Sequence, residues 1–139
     1  MKTKLIVASL ATLGVIDTAY LTLEHFSNFV PPCPVHPTLL IDCGAVLRSQ
    51  YATVYGIPLT LFGLAYYLAI LTLAFFSWKK LLLPLSIAGL ATSILLLYLQ
   101  LFVIKSICLY CTASGAINLI ILILVAHDYL HSSRILASK

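Results

Sequence analysis

Residues 81–104 read LLLPLSIAGLATSILLLYLQLFVI, twenty-four positions without one charged side chain. A helix rising 1.5 Å per residue needs about 20 apolar residues to cross ~30 Å of hydrocarbon. Lys105 and Ser106 interrupt the run, and residues 107–126 (ICLYCTASGAINLIILILVA) form a second uncharged stretch. Upstream, residues 58–78 are again uncharged, and residues 5–23 carry one charge, Asp17. The chain of 139 residues is 62% hydrophobic and 9% charged, where a water-soluble domain carries about a quarter charged residues. Such a surface belongs in lipid. Backbone polar groups there must be satisfied within helices, so the four segments are expected to pack as one all-α transmembrane bundle, a single domain over 1–139.

The breaks have physical causes. Lys79 and Lys80 end the second span, and Pro84 falls in the first turn of the third, where a missing N–H costs least. Gly14, Gly63, Gly89, Ser93, Ser114 and Gly115 offer close helix contact. Lys2, Lys4, Lys79, Lys80, Arg134 and Lys139 fall on one side, against Arg48 and Lys105 on the other. The positive-inside rule therefore puts both termini in the cytoplasm of a cell membrane. The first span is too long for the apolar core of a signal peptide and is read as retained. The net charge of +4 contains no basic run that would suit nucleic acid.

The long exoplasmic segment, 24–57, has two halves. PPCPVHP (31–37) cannot be helical, because four prolines in seven residues force an extended or turning path. Leu47, Tyr51, Val54 and Tyr55 follow at helical spacing. They predict a short amphipathic helix lying flat across the bundle mouth, either an interfacial anchor or a lid over a ligand pocket.

All four cysteines, Cys33, Cys43, Cys108 and Cys111, fall on that same side or at its membrane boundary. That side is the oxidising one. Cys108 and Cys111 form a C-x-x-C at a helix start, a spacing suited to a disulfide. The helix N-terminus, with Lys105 one turn upstream, should favour a Cys108 thiolate and make the pair redox-active. Two structural disulfides would be the plainer reading. Zinc is disfavoured because Cys33 and Cys43 are ten residues apart, outside tight ligand spacing, with His36 the one histidine nearby.

Other polar residues have quieter readings. Asp17 in the first span is either a functional carboxylate or a partner of Thr18, Thr22 or Ser93. Glu24, His25 and Asp42 could pass protons near a pocket mouth, or be solvated surface. Tyr110, Trp78, His127, Asp128 and His131 read as interfacial.

Taken together, Gly14-Val-Ile-Asp-Thr-Ala-Tyr20-Leu-Thr22, Cys33…Cys43-Gly-Ala-Val-Leu-Arg-Ser49 with Tyr51, Gly56-Ile-Pro58…Phe62-Gly63-Leu-Ala-Tyr66-Tyr67 and Cys108-x-x-Cys111 resemble the vitamin K epoxide reductase family. The resemblance runs from about Gly14 to Leu124. It implies a membrane oxidoreductase that takes electrons from an exoplasmic thioredoxin-like protein and reduces a membrane quinone, supporting disulfide formation. It implies no metal. By position, Cys33 is the outer cysteine met by the partner, and Cys43 the inner one that exchanges with Cys108. Cys111 faces the quinone. Leu47, Ser49 and Tyr51 would roof the quinone pocket, and Phe62 and Tyr66 would wall it. Leu59 and Gly115 stand where animal enzymes carry an amide and a tyrosine, which suits quinone reduction better than epoxide reduction. A second four-span thiol:quinone family places its C-x-x-C in the first exoplasmic loop, the reverse of the order here. The rival from another class is a small four-helix transporter using Asp17.

Overall fold

The computed structural model describes residues 2–27, 32–33, 41–76 and 78–137. Four helices are long and apolar enough to cross a membrane. They are α1 (Lys2–Ser27), α3 (Leu59–Phe76), α4 (Lys79–Tyr98, continued by a π-helical turn over Leu99–Ile104) and α5 (Leu109–Ala137). The fifth, α2, is the short Cys43–Leu47. Each of the stretches expected to span, 5–23, 58–78, 81–104 and 107–126, overlaps one of these helices, although Pro58 lies in a short strand ahead of α3 and α5 starts only at Leu109. The outer helices are longer than the apolar runs, since no proline or glycine stops α5 between Ala126 and Ala137.

α1 packs against α3 and α5, and α4 closes the bundle against α5 and α3. Half of the core is apolar in the ordinary way: Val7, Ala11, Tyr67, Ile70, Ala74, Leu82, Ile121 and Val125. Small residues permit the approach. A Cβ on Gly14 would overlap the Tyr67 ring, and one on Gly63 would come within 3.0 Å of the Thr18 methyl. The opposite surfaces expose Ile16, Phe75, Ile94, Phe102 and Ile123, the side chains a lipid-facing helix presents.

The segment between α1 and α3 corrects part of the sequence reading. The flat helix predicted on Leu47, Tyr51, Val54 and Tyr55 does not form; the short helix here is Cys43–Leu47, which precedes that stretch and is capped by Asp42, whose carboxylate accepts from the Ala45 N–H at 2.9 Å. Ser49 is extended, Gln50–Ala52 forms one 3-10 turn, and Thr53–Val54 (β1) pairs antiparallel with Ile57–Pro58 (β2). Val54 and Tyr55, assigned to the helix face by spacing, lie instead in and at the tip of this hairpin, with Tyr55 fully exposed. The cause is local. Thr53 and Val54 are β-branched, and Tyr55 and Gly56 both take positive φ (52° and 80°), the two-residue turn that suits strand twist. Most of the proline-rich stretch 31–37, His36 included, lies outside the described residues.

One backbone contact positions the loop. Ile41 bridges Ile107 in parallel, and the Asp42 N–H donates to the Ile107 carbonyl at 3.2 Å. Cys108 directly follows the bridge on one segment, and Cys43 lies two residues beyond it on the other.

Candidate functional site: two cysteine pairs over an apolar cavity

The π turn ends α4 in an unusual way. Lys105 takes the left-handed conformation (φ 58°), and its N–H and that of Ser106 both reach back to the Gln100 carbonyl. The Gln100 side chain, 4% exposed, then accepts from the Cys108 N–H at 2.9 Å. A donor left unpaired at this depth would cost about 1–3 kcal/mol. Gln100 thus fixes the residue that opens α5.

Cys108 is the N-cap of that helix. Its carbonyl accepts the first helical bond from Thr112 (3.0 Å), and its Sγ accepts from the Cys111 N–H (3.4 Å), the place a serine or aspartate side chain usually takes. The side-chain hydrogen bond from Cys111 does most to hold the Cys108 thiol below its ordinary range. Backbone N–H groups of Cys111 and Tyr110 add to this, while burial and the charge of Asp17 oppose it. Lys105, expected from the sequence to help, is exposed on its left-handed turn and is not among the groups acting on the thiol.

This has a direct readout. In a Cys33→Ser/Cys43→Ser background, thiolate absorbance should show Cys108 ionising below the ~8.5 of free cysteine. The thiolate then persists as pH falls until the lowered midpoint is crossed. Cys111→Ala removes the main donor and should raise that midpoint; an unchanged midpoint would contradict this assignment.

The four cysteines meet in one buried cluster with Val46, Ile104 and Tyr110. Cys33 and Cys43 are joined by a disulfide, with Cα atoms 6.0 Å apart, and Cys108 and Cys111 are free thiols. Cys43 and Cys108 have no exposed surface, whereas Cys33 is half-buried. Tyr110, read from the sequence as an interfacial aromatic, has a further role. Its hydroxyl donates to the Pro32 carbonyl at 3.4 Å, and its ring lies 5.7 Å from that of Tyr20, tying the loop cysteine to α1 and α5.

Below the cluster a cavity of about 570 Å³ opens between the helices, within the size range of small-molecule sites. Cys111 is the one cysteine lining it. Leu47, Ser49, Tyr51, Phe62 and Tyr66, singled out from the sequence, all lie on its wall. Ser49 donates its hydroxyl to the Val46 carbonyl at 2.8 Å and so turns the loop over the opening. Leu59 and Gly115 also line the wall.

Sequence reasoning missed the polar groups deeper in. The Tyr66 hydroxyl donates to Asn118 Oδ1 at 2.5 Å, and Asn118 Nδ2 donates to Ser93 Oγ at 3.4 Å. The Tyr67 hydroxyl donates to the Ser114 carbonyl at 2.6 Å. A lone glutamine and a lone asparagine inside otherwise apolar runs were the available signal, since buried polar groups in a membrane are held for packing or function. Among the described residues no group of three or more histidine, cysteine or acidic side chains could hold a metal ion.

An apolar cavity with a few converging polar groups has the character of a small-molecule site, and here it is also lined by one thiol. No individually curated protein matches the chain. The family model for the vitamin K epoxide reductase family matches residues 5–126. The chain is therefore a member of the vitamin K epoxide reductase family, a multi-pass membrane oxidoreductase.

Proposed function

We propose that this protein is a thiol:quinone oxidoreductase that withdraws electrons from a thioredoxin-like protein on the loop side of the membrane and so drives disulfide formation. The observation that carries this reading is the arrangement of the cysteines. All four share one cluster, the loop-side Cys33 is half-buried, and Cys111 alone lines the apolar cavity. Electrons would enter at one end of the cluster and leave at the other. The whole chain, 1–139, acts as one unit, with both termini cytoplasmic and the loop exoplasmic. The transporter reading is not favoured, since the family is one of redox enzymes.

The relay balances as follows. A partner thiolate attacks Cys33, forming a mixed disulfide and releasing Cys43 as thiolate. Cys43 attacks Cys108 of an oxidised Cys108–Cys111 pair, and Cys111 leaves. The second partner thiol displaces Cys33, which restores the Cys33–Cys43 bond and frees Cys108. With Cys33–Cys43 closed and Cys108 and Cys111 reduced, the enzyme would stand ready to pass electrons to the quinone. A quinone in the cavity supplies the acceptor chemistry, taking two electrons and two protons. Leu47, Ser49 and Tyr51 would roof it and Phe62 and Tyr66 would flank it. The Tyr66–Asn118 pair offers hydrogen bonds that could orient a carbonyl.

The test is quinone reduction by purified protein with a reduced thioredoxin-like donor. Wild type should turn over. Cys33→Ala should lose turnover with the protein donor yet recover with a small dithiol that reduces Cys108–Cys111 directly. Wild type without activity, or Cys33→Ala at full activity with the protein donor, would refute the relay.

A further inference from the structure

Asp17 lies on the wall of the same cavity as Cys111, and is the one carboxylate there. Its Oδ2 is buried without a hydrogen-bond partner. The partners that a purely structural role would supply are otherwise engaged. Thr18 donates to the Gly14 carbonyl (2.7 Å), Thr22 to that of Thr18 (2.7 Å), and Ser93 to that of Gly89 (2.9 Å). Leaving a buried acid oxygen unpaired costs free energy in any interior and more in a membrane.

The reaction proposed above creates a demand for such a group. Closing Cys108–Cys111 releases two electrons, and quinol formation takes two protons. With Cys108 entering the step as a thiolate, the pair brings one proton, on Cys111. The other must come from an acid within the cavity.

We propose that Asp17 is that general acid. The Cys111 thiol contributes one proton and the Asp17 carboxyl the other, each to a quinone oxygen, while the S–S bond forms between Cys108 and Cys111 and both electrons pass to the quinone. The negative charge on the Cys108 thiolate before the step resides on the Asp17 carboxylate after it, so charge is conserved. Reprotonation comes from the loop end of α1. There, the Glu24 carboxylate has a buried oxygen without a hydrogen-bond partner, and His25 reaches the cavity wall. This inference rests on the thiol:quinone reading.

The experiment uses the full chain in detergent, a short-tailed ubiquinone as acceptor and dithiothreitol as donor. Asp17→Asn keeps shape and removes the proton. It should lower kcat about a hundredfold or more, the usual size of a general-acid contribution. The quinone KM and the exchange of electrons from Cys33–Cys43 to Cys108–Cys111 should not move. Asp17→Glu should recover most of the rate. Asp17→Asn at wild-type kcat overturns the assignment, as does a loss shared equally by KM and thiol exchange, which would mark a structural role. Should Asp17→Asn not fold, Asp17→Ala is assayed with added acetic acid: acceleration supports the assignment, and a folded variant that acetic acid does not accelerate overturns it. Wild type that reduces no quinone removes the underlying reading itself, a result distinct from wild type and Asp17→Asn turning over equally.

Discussion

With Cys111 replaced by alanine, quinone reduction should fall at least about a thousandfold, the scale on which losing a reacting nucleophile acts, and a Cys43–Cys108 disulfide should accumulate. The first half follows from position, because no other cysteine lines the cavity. The second follows from the Ile41–Ile107 bridge, which carries Cys43 and Cys108 into the same cluster with both fully buried. A disulfide requires Cα atoms about 4.4–6.8 Å apart, and the register of that bridge brings the two segments alongside. In the native relay the Cys43–Cys108 bond is transient, because Cys111 competes for Cys108. Without Cys111, the Cys108 thiolate attacks Cys43 of the Cys33–Cys43 disulfide, Cys33 leaves as a thiolate, and Cys33 is then the one internal rival. Non-reducing peptide mapping with an alkylating agent present to trap the released Cys33 reads the outcome. A chain holding only Cys33–Cys43, with Cys108 free, would mean that the two pairs do not communicate, and the relay would fail even with the quinone site intact.

How much of this was legible beforehand depends on the physics at each position. The spans were readable because lipid makes hydropathy decisive; a backbone in hydrocarbon has few alternatives to a helix. The cysteine positions followed from the same topology. The region around Leu47–Tyr55 was read less well, because helical spacing at four residues cannot outweigh a two-residue turn. Tyr55 and Gly56 take positive φ, and that choice converts a supposed helix face into a hairpin. Gln100 and Asn118 escaped notice for a different reason. Averaged over twenty apolar neighbours, one amide barely changes hydropathy, yet each determines the polarity of its surroundings. Gln100 orients Cys108 through its N–H, and Asn118 gives Tyr66 a partner. Those contacts span 8 and 52 residues, and only the tertiary fold brings them together.

Gly89 is where cavity and packing meet, and Gly89→Val should damage both. A Cβ there would overlap the Tyr66 hydroxyl and lie 2.7 Å from Asn118 Nδ2. Neither neighbour is free to retreat. Tyr66 is held by Asn118, Asn118 also donates to Ser93 Oγ, and Ser93 donates to the carbonyl of Gly89 itself. A branched side chain must therefore drive Tyr66 into the cavity or break the Asn118 bonds. Overpacking costs about 1–3 kcal/mol, and an unpaired buried amide a similar amount. The melting temperature should fall by about 2–8 °C per kcal/mol lost. The larger effect is on the acceptor. With Tyr66 displaced into the space a quinone would occupy, KM should rise at least about tenfold, the factor that corresponds to 1.4 kcal/mol of lost binding. Reduction of Cys108–Cys111 by a dithiol should continue, because Gly89 does not touch the cysteine cluster. Gly89→Ala should show the same pattern more weakly. Unchanged quinone KM in a Gly89→Val protein that melts lower would separate packing from binding, and would move the acceptor away from the Tyr66–Asn118 wall.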